Sequence, residues 1–149
     1  MRIKHVVVLA CLLLACAPQL PRAQENTNRR PPISIGRIPR PDLIVKEYQF
    51  APTNNKGLRV RVANIGNANA GPCVLRLTIR KINGVAVGRT MDMNVPAIAA
   101  GADDWITFIA DGILPKAVDI KDTTFKLNVD FHKVVNESKE NNNEKWHNL

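Results

Sequence analysis

Apolar and polar residues alternate at every second position through most of the chain, which is the period of a half-buried β-strand. In "LRVRVAN", the side chains of Leu58, Val60 and Val62 face one side and those of Arg59 and Arg61 face the other. The segments "DLIVKEYQF", "CVLRLTIRKI", "VAVGRTMDMNV" and "TTFKLNVDF" alternate in the same way. The segment "WITFIAD" is apolar at both phases and is predicted to pack on two sides. No stretch has the period of a long amphipathic helix.

Turn-forming residues separate these segments. Asn83–Gly84 is a strong signal for a tight hairpin turn. In "NIGNANAGP", Gly66 and Gly71 are predicted to adopt backbone angles closed to other residues. In "PAIAAGADDW", Pro and Gly turn the chain, so that Ile98 and Trp105 are expected to plug one end of the fold. About seven short strands separated by such turns predict an all-β fold, an antiparallel sandwich.

The phase of the alternation also selects core residues. Phe125, Leu127 and Val129 should point inward from one strand. Cys73 is in phase with the apolar residues of "CVLRLTI", so we expect a buried structural thiol rather than a reactive one.

The first residues have the pattern of an export signal. Arg2 and Lys4 form a positive head, and the apolar run Val6–Ala15 follows. This run is shorter than the roughly 20 residues that a membrane span needs. We therefore predict a signal peptide over residues 1–15.

The end of this signal indicates how the chain is processed. "LLAC" resembles the lipobox of bacterial lipoproteins, which implies cleavage before Cys16 and lipidation of that cysteine. The resemblance implies attachment to the membrane through this lipid, at the outer membrane or facing the periplasm in a Gram-negative cell. The alternative is ordinary cleavage after Ala23, which would leave a secreted soluble protein.

Charge separates a basic leader from a nearly neutral domain. Residues 16–41 are rich in proline and arginine and are predicted to form a disordered tether. The whole chain has 21 Lys and Arg against 13 Asp and Glu, but residues 42–149 have 14 against 12, a difference of +2. A domain so close to neutral argues against nucleic acid as a partner.

The segment "NVDFHKVVNESKENNNE" concentrates oxygen ligands after the last long strand. Asp130, Glu137 and Glu140 are candidate ligands for calcium, which prefers carboxylate and amide oxygens. Their spacing lacks the EF-hand pattern. The alternative is a connection in which Glu and Asn side chains cap backbone groups between the last two strands.

Several segments together resemble the CARDB family, the cell-adhesion-related domain of bacteria. They are "PDLIVKEYQFAP", "VRVANIGNANAGP", "VPAIAAGADDWITF" and "LNVDFHKVVNESKENNNE", in the order of the family. The resemblance implies an immunoglobulin-like β-sandwich over residues 42–149 that serves as an extracellular binding, adhesion or spacer module. Only "EKWHNL" remains to supply the last strand, which should be short.

The chain has no hydrolase elbow, zinc-protease pair or phosphate-binding loop, so we expect no enzyme and no cofactor beyond the possible calcium. We predict an exported binding or adhesion module that recognises a protein or glycan of the cell envelope. The alternative is an assembly component that pairs with another chain by strand addition at a sheet edge. Trp146 is the candidate partner contact in that case.

Overall fold

The computed structural model describes residues 38–149, which fold into two antiparallel sheets packed face to face. The seven strands of this region are β1 (Leu43–Phe50), β2 (Gly57–Asn64), β3 (Cys73–Ile82), β4 (Val85–Val95), β5 (Asp103–Ile109), β6 (Thr123–Asn128) and β7 (Glu144–His147). One sheet has the order β1-β2-β5 and the other the order β4-β3-β6-β7. Two short 3-10 helices, Ala110–Gly112 and Ile120–Asp122, lie between β5 and β6. The predicted all-β sandwich of about seven strands is confirmed.

The core lies between the sheets and consists of the inward phase of each strand. Leu58, Val60 and Val62 of β2 are fully buried, as are Phe125 and Leu127 of β6, which confirms the predicted phase of both strands. Val129 and Cys73 are also buried, as predicted. The alternation seen in the sequence therefore reports which side of each strand meets the opposite sheet.

Strand β5 differs from the prediction. Ile106 and Phe108 are buried, but Trp105 lies on the outer face and Ile109 is half exposed. The prediction that this strand packs on two sides is wrong, because β5 is the edge of a three-stranded sheet and the opposite sheet covers one face only. Trp105 therefore does not plug the end of the sandwich, whereas Ile98 is buried there and bridges to Ala70.

Glycine has two different roles in the turns. Asn83 and Gly84 have positive φ angles of 51° and 80° and form the predicted tight turn between β3 and β4. Neither Gly66 nor Gly71 has a positive φ, so the predicted reason for these glycines is wrong. A Cβ atom on Gly66 would come within 2.6 Å of the backbone at Arg40–Asp42, so close approach of two chain segments requires this glycine.

One side of the sandwich is closed by side chains that join β1 to β7. The hydroxyl of Tyr48 lies 3.0 Å from Nδ1 of His147, and Nε2 of His147 lies 3.0 Å from the carbonyl oxygen of Lys121. Lys145 Nζ donates to the carbonyl of Lys46 at 2.7 Å. As expected, β7 is short, with four residues, and these contacts hold it in place. On the other side, β4 and β5 are the edges of their sheets.

The predicted signal peptide over 1–15, the lipidated Cys16 and most of the predicted tether lie outside the described residues. The last residues assigned to the tether are described. The backbone of Arg40 pairs with Asn67, and the carbonyl of Pro41 accepts from the N–H of Ser138 at 2.8 Å. No helix within residues 38–149 has the length and apolar character to cross a membrane.

Candidate functional site

The outer face of the four-stranded sheet carries a mixed polar and aromatic surface. Its side chains come from the outward phase of β4, β3, β6 and β7, in register across the strands, and from the loop after β6. We call this surface the recognition face and define it by Arg76, Asp92, Lys126, Asn128, Phe131, Glu144 and Trp146. The strand pairing, with Asp92 beside Arg76, Arg76 beside Asn128 and Asn128 beside Glu144, places four of them in one row.

The charges of the recognition face are paired with one another. Arg76 binds Asp92 through two hydrogen bonds of 2.6 Å each, and this guanidinium lowers the pKa of the Asp92 carboxyl. Glu144 accepts from Lys126 at 2.8 Å and from Asn128 at 3.1 Å. The face therefore presents many hydrogen-bonding groups but little unbalanced charge.

Two aromatic rings lie among these polar groups. Trp146 is 46% exposed and sits beside Lys126, whose Nζ lies 5.6 Å from the ring centroid. Phe131 is 36% exposed, and Cζ of Arg76 lies 3.6 Å from its centroid. The N–H of Phe131 donates to the carbonyl of Val74, which fixes this loop beside β3. Trp146 is thus exposed as a partner contact requires, and it is also paired within its own sheet, opposite Lys126.

The outer face of the three-stranded sheet is different, because its aromatic ring, Trp105, is less exposed than Trp146. Cζ of Arg59 and of Arg61 lie 4.8 Å and 5.9 Å from the centroid of Trp105. Arg61 also forms ion pairs with Glu47 at 3.0 Å and with Asp103 at 2.8 Å. This face offers less free aromatic surface to a ligand than the recognition face.

Asp130, a predicted calcium ligand, caps two backbone N–H groups. It lies directly after β6 in the left-handed region, at φ 48°, and is 1% exposed. Its carboxylate accepts from the N–H groups of Val134 and Val135 at 3.0 Å each. The capping described by the alternative interpretation of this segment is therefore present at Asp130.

Glu137 and Glu140 lie in different surroundings. Glu137 is 3% exposed, and its carboxylate accepts from the N–H of Leu43 at 2.9 Å and from Nδ2 of Asn143 at 3.0 Å. Loss of solvation raises the pKa of Glu137 to about 7, although these two hydrogen bonds act in the opposite direction. Glu140 is exposed and caps the N–H of Glu137 at 3.2 Å. Within residues 38–149, no three Asp, Glu, His or Cys side chains form a group that could hold a metal ion.

Sequence reasoning found Trp146 but missed the other members of the recognition face. Arg76, Lys126 and Asn128 stand at the outward phase of predicted strands, so their common face could have been read from the alternation. Phe131 could not, because a loop rather than a strand brings it onto Arg76.

The fold and its outer face define a small immunoglobulin-like β-sandwich with a polar, aromatic outer surface. The chain belongs to the CARDB family, whose profile matches residues 40–147. This confirms the resemblance seen in the sequence and the immunoglobulin-like fold that it implied. No curated protein matches this chain.

Two solved structures are similar to this chain. One is the crystal structure of a CARDB domain from Pyrococcus furiosus in complex with di-metal ions, with 22% identity and a TM-score of 0.50. The aligned region covers 72% of this chain and 89% of the Pyrococcus furiosus chain. The other is the solution structure of a domain from a Methanosarcina acetivorans protein provisionally described as a cell surface protein, also with 22% identity and a TM-score of 0.50. The aligned region covers 71% of this chain and 87% of the Methanosarcina acetivorans chain. At this identity the similarity concerns the fold.

Proposed function

We propose that this protein is an exported, envelope-tethered, non-catalytic adhesion module that binds a glycan of the cell envelope through its recognition face. The observation that carries the proposal is the half-exposed ring of Trp146 beside paired polar groups of the same face. The cell-surface description of the Methanosarcina acetivorans protein supports an extracellular location.

The chemistry of the recognition face favours a sugar over other partners. A sugar ring presents C–H groups on one side, which stack on an aromatic ring, and hydroxyl groups at its rim, which need donors and acceptors. Trp146 and Phe131 supply the rings, and the Arg76–Asp92 pair supplies both donors and acceptors. Because the charges of the face are paired, it lacks the excess charge that would attract a polyelectrolyte.

The experiment is a binding screen of the processed protein against an array of bacterial envelope glycans, followed by titration calorimetry with each hit. We expect Trp146→Ala to weaken binding about tenfold or more, a loss of about 1.4 kcal/mol, because it removes the exposed ring. The matched control is Trp105→Ala on the opposite face, which should leave the affinity unchanged.

Two results would contradict the proposal. One is equal loss of affinity in Trp146→Ala and Trp105→Ala, which would indicate a general loss of structure. The other is a screen that yields no glycan, with capture of an envelope protein that survives Trp146→Ala and Phe131→Ala.

A second candidate is assembly by strand addition, and the exposure of β4 favours it. This strand is eleven residues long and is an edge of its sheet, and Val85 at its start is 66% exposed. An exposed edge strand is a template for pairing with another chain. If this candidate holds, Val85→Lys should abolish self-association in analytical ultracentrifugation, and a wild-type protein that is monomeric at high concentration would rule out pairing between copies.

A further inference from the structure

Two buried acidic residues, Asp42 and Glu137, lie where the start of β1 contacts the loop between β6 and β7. Asp42 is 5% exposed and accepts from Oγ of Ser138 at 2.9 Å and from Nδ2 of Asn142 at 2.6 Å. The neighbouring N–H of Leu43 donates to Glu137, whose other oxygen accepts from Asn143. Adjacent asparagines of the loop thus donate to the two carboxylates, and Leu43, the residue after Asp42, donates to Glu137.

These carboxylates have no cationic partner. Among residues 38–149, none of the ion pairs within 4 Å includes Asp42 or Glu137. Buried carboxylates are ordinarily paired with a cationic side chain or coordinate a metal, because burial without compensation disfavours the charged form. Among the described residues, the hydrogen bonds that these two carboxylates accept come from neutral donors.

The two asparagines supply an independent observation. Asn142 and Asn143 each direct Nδ2 to one of the two carboxylates, and in each the Oδ1 atom is buried without a hydrogen-bond donor. Asn143 itself is 6% exposed. Unpaired buried acceptors are rare in folded proteins and need a specific explanation. Asn142 and Asn143 donate through Nδ2 to the two carboxylates, and their unpaired Oδ1 atoms leave acceptors beside this cluster that a positively charged ligand would satisfy.

We propose that Asp42, Glu137, Asn142 and Asn143 form a binding site for one hard divalent cation, calcium. Two carboxylates and two amide oxygens are the ligand types that calcium takes, and water can supply the remaining positions of its coordination shell. This set contains two acidic residues, and it differs from the ligands predicted from the sequence. Asp130 is occupied with two backbone N–H groups, and Glu140 is exposed.

A cleft reaches Asp42 and Ser138 from solvent. It has a volume of about 560 Å³ and is lined by Asp42 and Ser138 together with Ile38, Arg40, Ile65 and Asn67. The cation would join the start of β1 to the loop that precedes β7. The site shares no residue with the recognition face, and its proposal does not depend on the proposed glycan binding.

The test uses the processed protein, purified in detergent where it carries lipid, and treated with EDTA before dialysis. Calcium chloride is then titrated by calorimetry, and the melting temperature is followed by circular dichroism. We expect one calcium per chain and a rise in melting temperature of about 5 °C at saturating calcium, because a ligand that binds only the folded state stabilises it. No heat of binding and no shift at millimolar calcium would overturn the proposal.

Two variants test whether calcium binds at this site rather than elsewhere on the protein. Asp42→Asn retains a polar side chain of the same size but should weaken calcium binding about tenfold or more. The exposed Glu140→Gln is the matched control and should bind calcium as the wild type does. A calcium response that survives in Asp42→Asn would overturn the assignment of this site.

Asn143→Asp gives a test with the opposite sign. It adds a third buried carboxylate, so the variant should melt at a lower temperature than the wild type in EDTA. Calcium should then restore the melting temperature to the calcium-loaded wild-type value or above it. A variant that remains destabilised in calcium would contradict the proposal, because no cation would be present to balance the added charge.

Discussion

Single polar residues hold the loops of this sandwich, and Asn64 at the end of β2 is the clearest case. Its side chain is 1% exposed and accepts from the N–H groups of Asp42 and Gly66 at 3.1 Å each. Its Nδ2 donates to the carbonyls of Ala68 and Ile98. One amide thus satisfies backbone groups of three connecting segments. The Gly and Asn residues that follow it in the sequence predict only a turn.

We predict that Asn64→Ala lowers the free energy of unfolding by about 2–4 kcal/mol, because it leaves several buried backbone groups unpaired. Urea denaturation followed by tryptophan fluorescence measures this change. Asn69→Ala, at an exposed loop position with one hydrogen bond to the N–H of Ala100, should cost less than about 1 kcal/mol. Equal losses in the two variants would contradict the role assigned to Asn64.

Burial also determines the chemistry of Cys73. Loss of solvation raises the pKa of its thiol to about 11, so the thiol stays protonated at any pH well below that value. We predict that iodoacetamide at pH 8 leaves Cys73 unmodified in the folded protein and alkylates it in denaturant. Peptide mapping by mass spectrometry separates this cysteine from Cys16. Rapid modification of Cys73 in the folded state would show that the β3 end of the core is open.

At the scale of the elements, the alternation of apolar and polar residues predicts the strands and their inward faces. It does not predict where each strand lies in its sheet. The bounds of β3 and β4 follow from the sequence, because the Asn83–Gly84 turn fixes their register. For β5, apolar residues at both phases predict burial on two sides. In the structure the outward Trp105 is covered by neighbouring side chains such as Arg61 rather than by a second sheet. Contacts between residues far apart in the chain carry this information, and local pattern does not.

The same limit applies to the candidate site. The sequence presents Glu137 as one polar residue of a loop, and its partners Leu43 and Asn143 become visible only when β1 meets that loop. Asp42 was not singled out at all, because in sequence it is only the first residue of a strand-like stretch.

The contact between the Gly66 turn and the segment before β1 is an element-scale feature that can be tested. We predict that Gly66→Ala lowers the free energy of unfolding by about 2 kcal/mol or more, since the new methyl group would overlap backbone atoms of Arg40–Asp42. Gly71→Ala is the control, because no atom lies within 4 Å of a Cβ there. Thermal melts of both variants measure the difference. A neutral Gly66→Ala would show that the segment before β1 is free to move away.

At the scale of the whole molecule, the proposed function needs two parts, a nearly neutral binding domain and an N-terminal anchor. The domain from residue 42 onward is close to neutral, whereas Arg2, Lys4 and the arginines of the leader segment carry the excess positive charge. This separation fits the proposed exported module, in which the leader would target and attach the chain and the sandwich would bind the partner.

The predicted lipid anchor on Cys16 determines where we expect the protein after cell fractionation. We expect the wild type to remain with the membrane fraction and to incorporate labelled palmitate, because acyl chains on Cys16 would partition into the bilayer. Cys16→Ala should lose the label and the lipoprotein cleavage. A wild-type protein that is unlabelled and found in the soluble fraction would favour cleavage after Ala23 instead.

The most direct test of the central claim is a nuclear magnetic resonance titration that maps which face of the sandwich meets a glycan. Backbone amide shifts of the isotope-labelled protein are followed as a glycan hit from the array is added. We predict that the perturbed amides cluster on β3, β6 and β7, around Arg76, Lys126 and Trp146. Perturbations confined to the opposite face, around Arg59 and Trp105, or no perturbation with any envelope glycan, would contradict the claim.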